Sequence, residues 1–309
     1  MVAAGVMVSL IPGIGSTLPL TKSPFFRRSS TISLRFISEN TKRLEQQGHA
    51  IRCNFNHPGY QIQEEGQVDS HDYRVFLLDN TGKKCLLHVQ ISPWHDIPLH
   101  VGNGVFNFVA EISKDSNLRM ELATDELYTP LKQDKIRGRI RCNMKWNYGL
   151  LPQTWEDPSS ANPEVDGAFG DNDPVDVVEI GSTCAKVGEV LRVKPLATLA
   201  LIDEGQLDWK IIAVSLDDPR CSLVDDVHDI EKYFPATLTA ISEFFRDYKV
   251  YDGIPGNKFG LGNKPANKDY AVKVIRETNE AWTKLVTRSI SAGQEFITWT
   301  LLNASSACS

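Results

Sequence analysis

From about residue 66 onward the chain reads as short apolar runs broken by turn residues. Val105–Ile112 is rich in β-branched and aromatic side chains and is expected to be a strand, as are 175–180 and 190–200. The run 208–214 follows after Asp203-Glu-Gly-Gln-Leu207, so these last two segments read as a hairpin. Many short strands with turn signals between them predict a small closed barrel. The period then changes. Pro235 is expected to open a helix running through Tyr248. Ala271, Val274, Ile275, Trp282, Leu285 and Val286 recur at helical spacing, which predicts an amphipathic helix over 268–292 packed on the barrel.

The chain's 309 residues suffice for one large domain or two small ones. No run of eighteen apolar residues occurs, so no membrane span is expected. The first 38 residues hold no Asp or Glu, many Ser and Thr, and basic side chains at Lys22, Arg27, Arg28 and Arg35. That composition is that of an organelle transit peptide. A secretory signal is the rival reading, because Val6 to Leu20 is fairly apolar. Pro12, Gly13 and Gly15 interrupt that run, and no basic segment precedes it. Residues 39–65 are expected to be a further, poorly ordered lead-in, which leaves 66–309 as the folded domain.

Cys53, Cys85, Cys142, Cys184, Cys221 and Cys308 form no C-x-x-C pair and no zinc-finger spacing, which points to a reduced compartment. Seven basic and four acidic residues give 1–65 a net charge of +3, against −6 for the whole chain, so 66–309 carries −9. An acidic body argues against nucleic acid as a partner. An anionic substrate would need compensating positive charge, which divalent metal could supply.

The densest chemistry lies in Asp171-Asn-Asp-Pro-Val-Asp176. In an extended segment Asp171 and Asp173 share a face, and Pro174 would let Asp176 swing toward them. Converging carboxylates repel unless a cation lies between them, and their hard oxygens suit magnesium or manganese. A solvated turn is the bland alternative. An EF-hand loop fails, because Val175 and Asp176 stand where it needs a ligand and a glycine. Asp203 and Asp208 flank the hairpin turn, with Lys210 on the same strand face as Asp208. Glu111, Glu121 and Glu156 lie beside strand-like runs, with Arg141 and Tyr148 nearby; each alone is more often a surface or capping residue. Two carboxylate clusters suggest two or more metals that clamp a phosphate and activate water, the outline of a phosphoanhydride hydrolase. No Walker loop, G-x-S-x-G elbow or H-E-x-x-H offers another chemistry.

Gly170-Asp-Asn-Asp-Pro-Val-Asp-Val-Val-Glu179 resembles the signature of the soluble family I inorganic pyrophosphatases. The resemblance extends through Ser92-Pro-Trp-His-Asp-Ile-Pro98, Asn147-Tyr-Gly-Leu-Leu-Pro-Gln-Thr-Trp-Glu-Asp-Pro158 and Leu201-Ile-Asp-Glu-Gly-Gln-Leu-Asp-Trp-Lys210. It continues in Phe244-Phe-Arg-Asp-Tyr-Lys249 and Asn263-Lys-Pro-Ala-Asn-Lys-Asp-Tyr270, and covers roughly residues 66–293. Trp146-Asn-Tyr-Gly-Leu-Leu and Phe259-Gly-Leu-Gly-Asn look like the plant chloroplast enzymes, in accord with the transit-peptide reading; the mitochondrion is the alternative.

The resemblance implies an α+β, mainly β fold: a five-stranded OB-like closed barrel with flanking helices. It implies cleavage of pyrophosphate to two orthophosphates with Mg2+, by a monomer or homodimer. Asp171, Asp176 and Asp208 would be metal ligands, with Asp203 and Glu121 completing the shell. Asp173 would be the general base. Arg119, Arg141, Lys210, Tyr248 and Lys249, joined by Tyr148, would hold the phosphoryl groups, and Glu111 and Glu156 would shape the acidic cavity.

Several places depart from the family pattern. Arg119 stands for a usual lysine, and Ile254 stands where many members carry another. The connection Cys142–Trp146 is short, with Met144 at the offset of a family tyrosine, and such a deletion could shift strand register. Residues 85–90 look inserted, and the tail after Ala292 is unlike the family. These departures motivate the alternative of a catalytically impaired, metal- and phosphate-binding relative, including an aberrant transcript, gene model or decaying copy. A nucleoside triphosphate phosphohydrolase is the third reading.

Overall fold

The computed structural model describes residues 59–79, 89–134, 144–250 and 253–288, and the backbone of strand Arg52–His57. Five strands matter most for the site: β1 (Val105–Ile112), β2 (Asn147–Leu150), β3 (Asp176–Glu179), β4 (Val190–Asp203) and β5 (Gln206–Ser215). β1 pairs antiparallel with β2, β2 with β3, and β4 with β5, while β3 runs parallel to β5. β4 then pairs with β1, so the ladder returns to its start. A second sheet holds Arg52–His57, Tyr60–Glu65, Arg74–Asp79, Leu131–Gln133 and Met120–Leu122 in that order.

The hairpin expected around 203–207 turns on two residues. Glu204 and Gly205 both have positive φ, 52° and 94°, the backbone of a primed turn that matches strand twist. β4 and β5 are longer than the apolar pattern implied because their pairing runs out to Asp203 and Gln206. Pro195 cannot donate to the ladder, and the register shifts between it and Ala197.

Three helices follow: α1 (Val227–Tyr233), α2 (Thr237–Asp247) and α3 (Lys268–Val286). α1 was not visible as an apolar pattern, although Asp226 and Asp229 form its capping box. α2 begins two residues after Pro235, because Ala236 takes a left-handed φ of 62° before the helix starts. α3 is capped by the Asn267 side chain on Tyr270 N at 3.1 Å. It stops at Val286 rather than 292: Thr287 is the cap and Arg288 turns left-handed, a common helix ending. Residues 289–292 lie outside the described residues.

The lead-in expected over 39–65 is shorter than its composition suggested. Tyr60–Glu65 pairs along its length with Arg74–Asp79, placing buried Ile62 opposite Leu77. Polar Gln and Glu neighbours hide this strand locally; its stabilising partner is remote. Residues 1–51, on which the transit-peptide expectation falls, lie outside the described residues, as does the tail after Ala292.

Alternation on β3 and β5 builds two cores. Val177, Ile211 and Ala213 face one cluster, completed by Ala271, Val274 and Ile275 of α3. Val178, Ile212 and Val214 face the other, which Ile230, Ile241 and Phe245 of α1 and α2 join. Period-two strands between helices thus bury both faces.

Candidate active site

Asp171–Pro174 is a turn, not the extended segment expected. Asn172 has φ 77°, and the Asp171 carboxylate accepts the Asp173 backbone N–H at 3.0 Å. The turn is laid on Glu156: Glu156 N donates to Asp173 O at 2.9 Å and Asn172 N to Glu156 O at 3.0 Å. Gly170 permits this approach, since a Cβ there would come within 2.4 Å of the Glu156 carbonyl. The turn ends where β3 begins, so Asp176 enters the sheet opposite Lys210 of β5.

Ten of the predicted residues line one cavity of about 200 Å³: Arg119, Tyr148, Asp171, Asp173, Asp176, Asp203, Asp208, Lys210, Tyr248 and Lys249. Met144, Ile112, Phe244 and Phe245 complete its wall. In the sequence Met144 stands out only as a departure from the family pattern. Ile112 stands in the sequence only as a strand position, and Phe244 and Phe245 only as part of the Phe244–Lys249 motif, with no chemical signal of their own. A larger cleft of about 390 Å³ lies along α3, with Glu156 and Trp209 in its lining, but the charged chemistry converges in the smaller cavity.

Lys210 is almost fully buried and pairs closely with both Asp176 and Asp208. Its Nζ also lies 2.9 Å from Tyr148 Oη, and that phenol donates to Asp176. The short connection before Asn147 has therefore not turned Tyr148 away: it sits opposite Val178 and faces the cavity. Burial alone would drive Lys210 neutral, but Asp176 and Asp208 outweigh it and hold the ammonium well above its usual range. Across the cavity, Tyr248 Oη donates to Asp203 at 2.6 Å, and Lys249 pairs with Asp203 and, at 3.0 Å, with Glu204. Arg119 Nε lies 3.1 Å from Asp134.

Glu111, Glu121 and Glu156 are not on the cavity wall. Glu111 and Glu156 are buried beside it, and Glu121 sits on Met120–Leu122 of the second sheet. Burial, then Asp176 and Asp173, pushes the Glu111 carboxyl well above its normal range. Arg141 and residues 135–143 lie outside the described residues.

A cation fits this donor set. Carboxylate oxygens of Glu156, Asp171 and Asp208 lie within 4.8 Å of one another. Glu156 Oε1 accepts from Trp209 N at 2.7 Å, but its Oε2 and Asp208 Oδ1 are buried and accept no hydrogen bond among the described residues. Such orphaned oxygens demand a proton or a metal. Burial, followed by neighbouring carboxylates, raises Asp208 and Glu156 strongly and pushes Asp173 up to about 7. Hard oxygens without sulfur or imidazole suit magnesium-class ions.

With this geometry in hand, the sequence profile of the inorganic pyrophosphatases matches residues 108–283. Soluble inorganic pyrophosphatase 6, chloroplastic, of Arabidopsis thaliana is 64% identical over 239 residues, covering 76% of this chain and 78% of that protein. Among solved structures, the recombinant inorganic pyrophosphatase of T. brucei brucei superposes with a TM-score of 0.71 at 35% identity, covering 83% of this chain and 78% of the other. An N-terminally truncated vacuolar soluble pyrophosphatase of Trypanosoma cruzi, solved in complex with PPi, gives 0.69 at 36% identity, covering 88% and 100%. A match this long and this close, on a chain whose acidic side chains meet in one cavity, means that the protein belongs to the inorganic pyrophosphatase family.

Proposed function

We propose that this chain hydrolyses inorganic pyrophosphate to two orthophosphates with magnesium, in a plastid. The carrying observation is the convergence of ten charged or phenolic side chains from separate strands, loops and a helix end on one 200 Å³ cavity. Five aspartates face three cationic side chains there, so a polyanion could enter only with added positive charge. We read the ring of five strands as the OB-like closed barrel that the family resemblance implies. The plastid rests on the chloroplastic Arabidopsis relative and the acid-free N-terminal composition.

Asp171, Asp176 and Asp208 would hold magnesium, with Asp203 and Glu121 completing the shell. Magnesium, when bound, supplies charge neutralisation of the phosphoryl oxygens and a lower pKa for water. Asp173 accepts the proton of the attacking water, whose oxygen bonds to one phosphorus as the bridging P–O bond breaks. In the metal-free site burial and its two aspartate neighbours hold that carboxyl near 7, and cations among them reverse the electrostatic part of that rise. Arg119, Arg141, Lys210, Tyr248 and Lys249, joined by Tyr148, hold the two phosphoryl groups. Glu111 and Glu156 keep the cavity acidic and shaped.

The test is orthophosphate release by the full chain with pyrophosphate and magnesium, repeated with magnesium chelated and with ATP. Fast release that needs magnesium and pyrophosphate supports the reading. A folded, magnesium-binding chain that releases none would make it a non-catalytic relative.

A further inference from the structure

Tyr148, Asp176 and Lys210 meet although they stand on three strands, β2, β3 and β5. Two registers decide whether they meet: Tyr148 opposite Val178, and Asp176 opposite Lys210. A slip of one residue in either would turn a side chain to the other face.

At the far end of the same strands a single buried carboxylate bonds to both neighbours. Glu179, the last residue of β3, is 1% exposed. Its Oε2 accepts from Asn147 Nδ2, on the first residue of β2, at 2.7 Å. Its Oε1 accepts from the backbone N–H of Ser215, the last residue of β5, and from that of Gly181, both at 2.8 Å. Asn147 is fully buried and uses its remaining capacity as well. It donates to Thr183 O at 2.8 Å and accepts from the N–H groups of Lys114 at 3.0 Å and Ala185 at 2.9 Å.

Apolar side chains could hold these strand ends without desolvating a carboxylate, whose burial is costly. What an apolar pair lacks is direction: it tolerates a slipped register, whereas this network is satisfied in one alignment only. Glu179 lies three residues, about 10 Å, along the strand from Asp176 and on the opposite face, so it does not reach the cavity. The short connection from Cys142 enters the sheet at Asn147, where the register of β2 is decided.

We propose that Asn147 and Glu179 are positioning residues for the site, holding β2 and β5 in the one register on β3 that brings Tyr148 and Lys210 onto Asp176. This rests on the proposed pyrophosphatase reading. Glu179→Gln keeps an acceptor for Ser215 and Gly181 but sets an amide donor against Asn147, which breaks the β2 link alone. The expected result, in a chain that keeps its far-UV dichroism and cooperative melt, is a 10- to 100-fold lower kcat with KM changed only a few-fold. In a Tyr148→Phe background the same substitution should cost little more, because both act on one contact. Unchanged kcat, or a loss that multiplies undiminished on Tyr148→Phe, overturns the proposal. Should the glutamine variant not fold, Asn147→Asp serves instead: it keeps the oxygen for Lys114 and Ala185 and loses the amide that donates to Glu179 and Thr183. If the unmodified chain shows no turnover, the functional reading fails. The same cycle is then scored by calorimetric magnesium affinity, where coupling supports the positioning role and independence overturns it.

Discussion

Tyr248 donates its phenol hydrogen to Asp203 at 2.6 Å, tying the C-terminal end of α2 to the last residue of β4. Lys249 pairs with the same carboxylate. Burial pulls the Asp203 carboxyl up, but the Lys249 and Tyr248 bonds prevail and leave it below its ordinary value. Asp203 therefore stays ionised while Asp171, Asp173 and Asp208 are lifted. Tyr248→Phe should lower unfolding free energy by about 1 kcal/mol and raise KM for pyrophosphate several-fold. Urea melts and steady-state kinetics would detect both, and no change in either would make the contact incidental.

Asp173 is the carboxylate we assign to the attacking water. Asp173→Asn keeps the shape and removes the base, so kcat should drop by about 10²–10⁴ with the fold intact. Near-normal turnover in that variant would take Asp173 out of the role.

Protons and the proposed magnesium would compete for the same oxygens. Burial, then Asp171 and Asp176, lifts Asp173 from 3.8 to about 7. In the metal-free chain the stability from this raised carboxyl is present below the unfolded value near 3.8 and lost as pH rises through 7. Magnesium would bind once the carboxylates ionise. It should therefore raise the melting temperature more at pH 8 than at pH 5.5, and its binding near pH 7 should release protons in calorimetry across different buffers. Equal stabilisation at both pH values would place the cation elsewhere.

Gly149 lies where the backbone of β1 approaches β2 closely. A Cβ there would stand 2.0 Å from Val109 O and 2.7 Å from Glu111 N. Gly149→Ala should part the two strands beside Glu111 and Tyr148, at a cost of about 3 kcal/mol or more, read as a lower midpoint in chemical denaturation. A wild-type midpoint would mean that the strands separate freely.

Much of the chemistry was legible in the residues alone. Asp171, Asp173, Asp176, Asp203, Asp208 and Lys210 lie in two short segments, so local spacing already groups them, and the apolar periods of β1, β4, β5 and α3 are local as well. Other features depend on remote partners. Tyr60–Glu65 is a strand because Arg74–Asp79 pairs with it. Ile112 and Phe245 are cavity wall because the ladder closes and α2 packs on it. Asn147 and Glu179 lie 32 positions apart, and their bond exists only once β2 and β3 align. Sequence determined which side chains could do the chemistry, since composition and spacing are local. Tertiary structure alone decided which of them share a cavity, because strand register and the burial that shifts each pKa are set by contacts between distant segments.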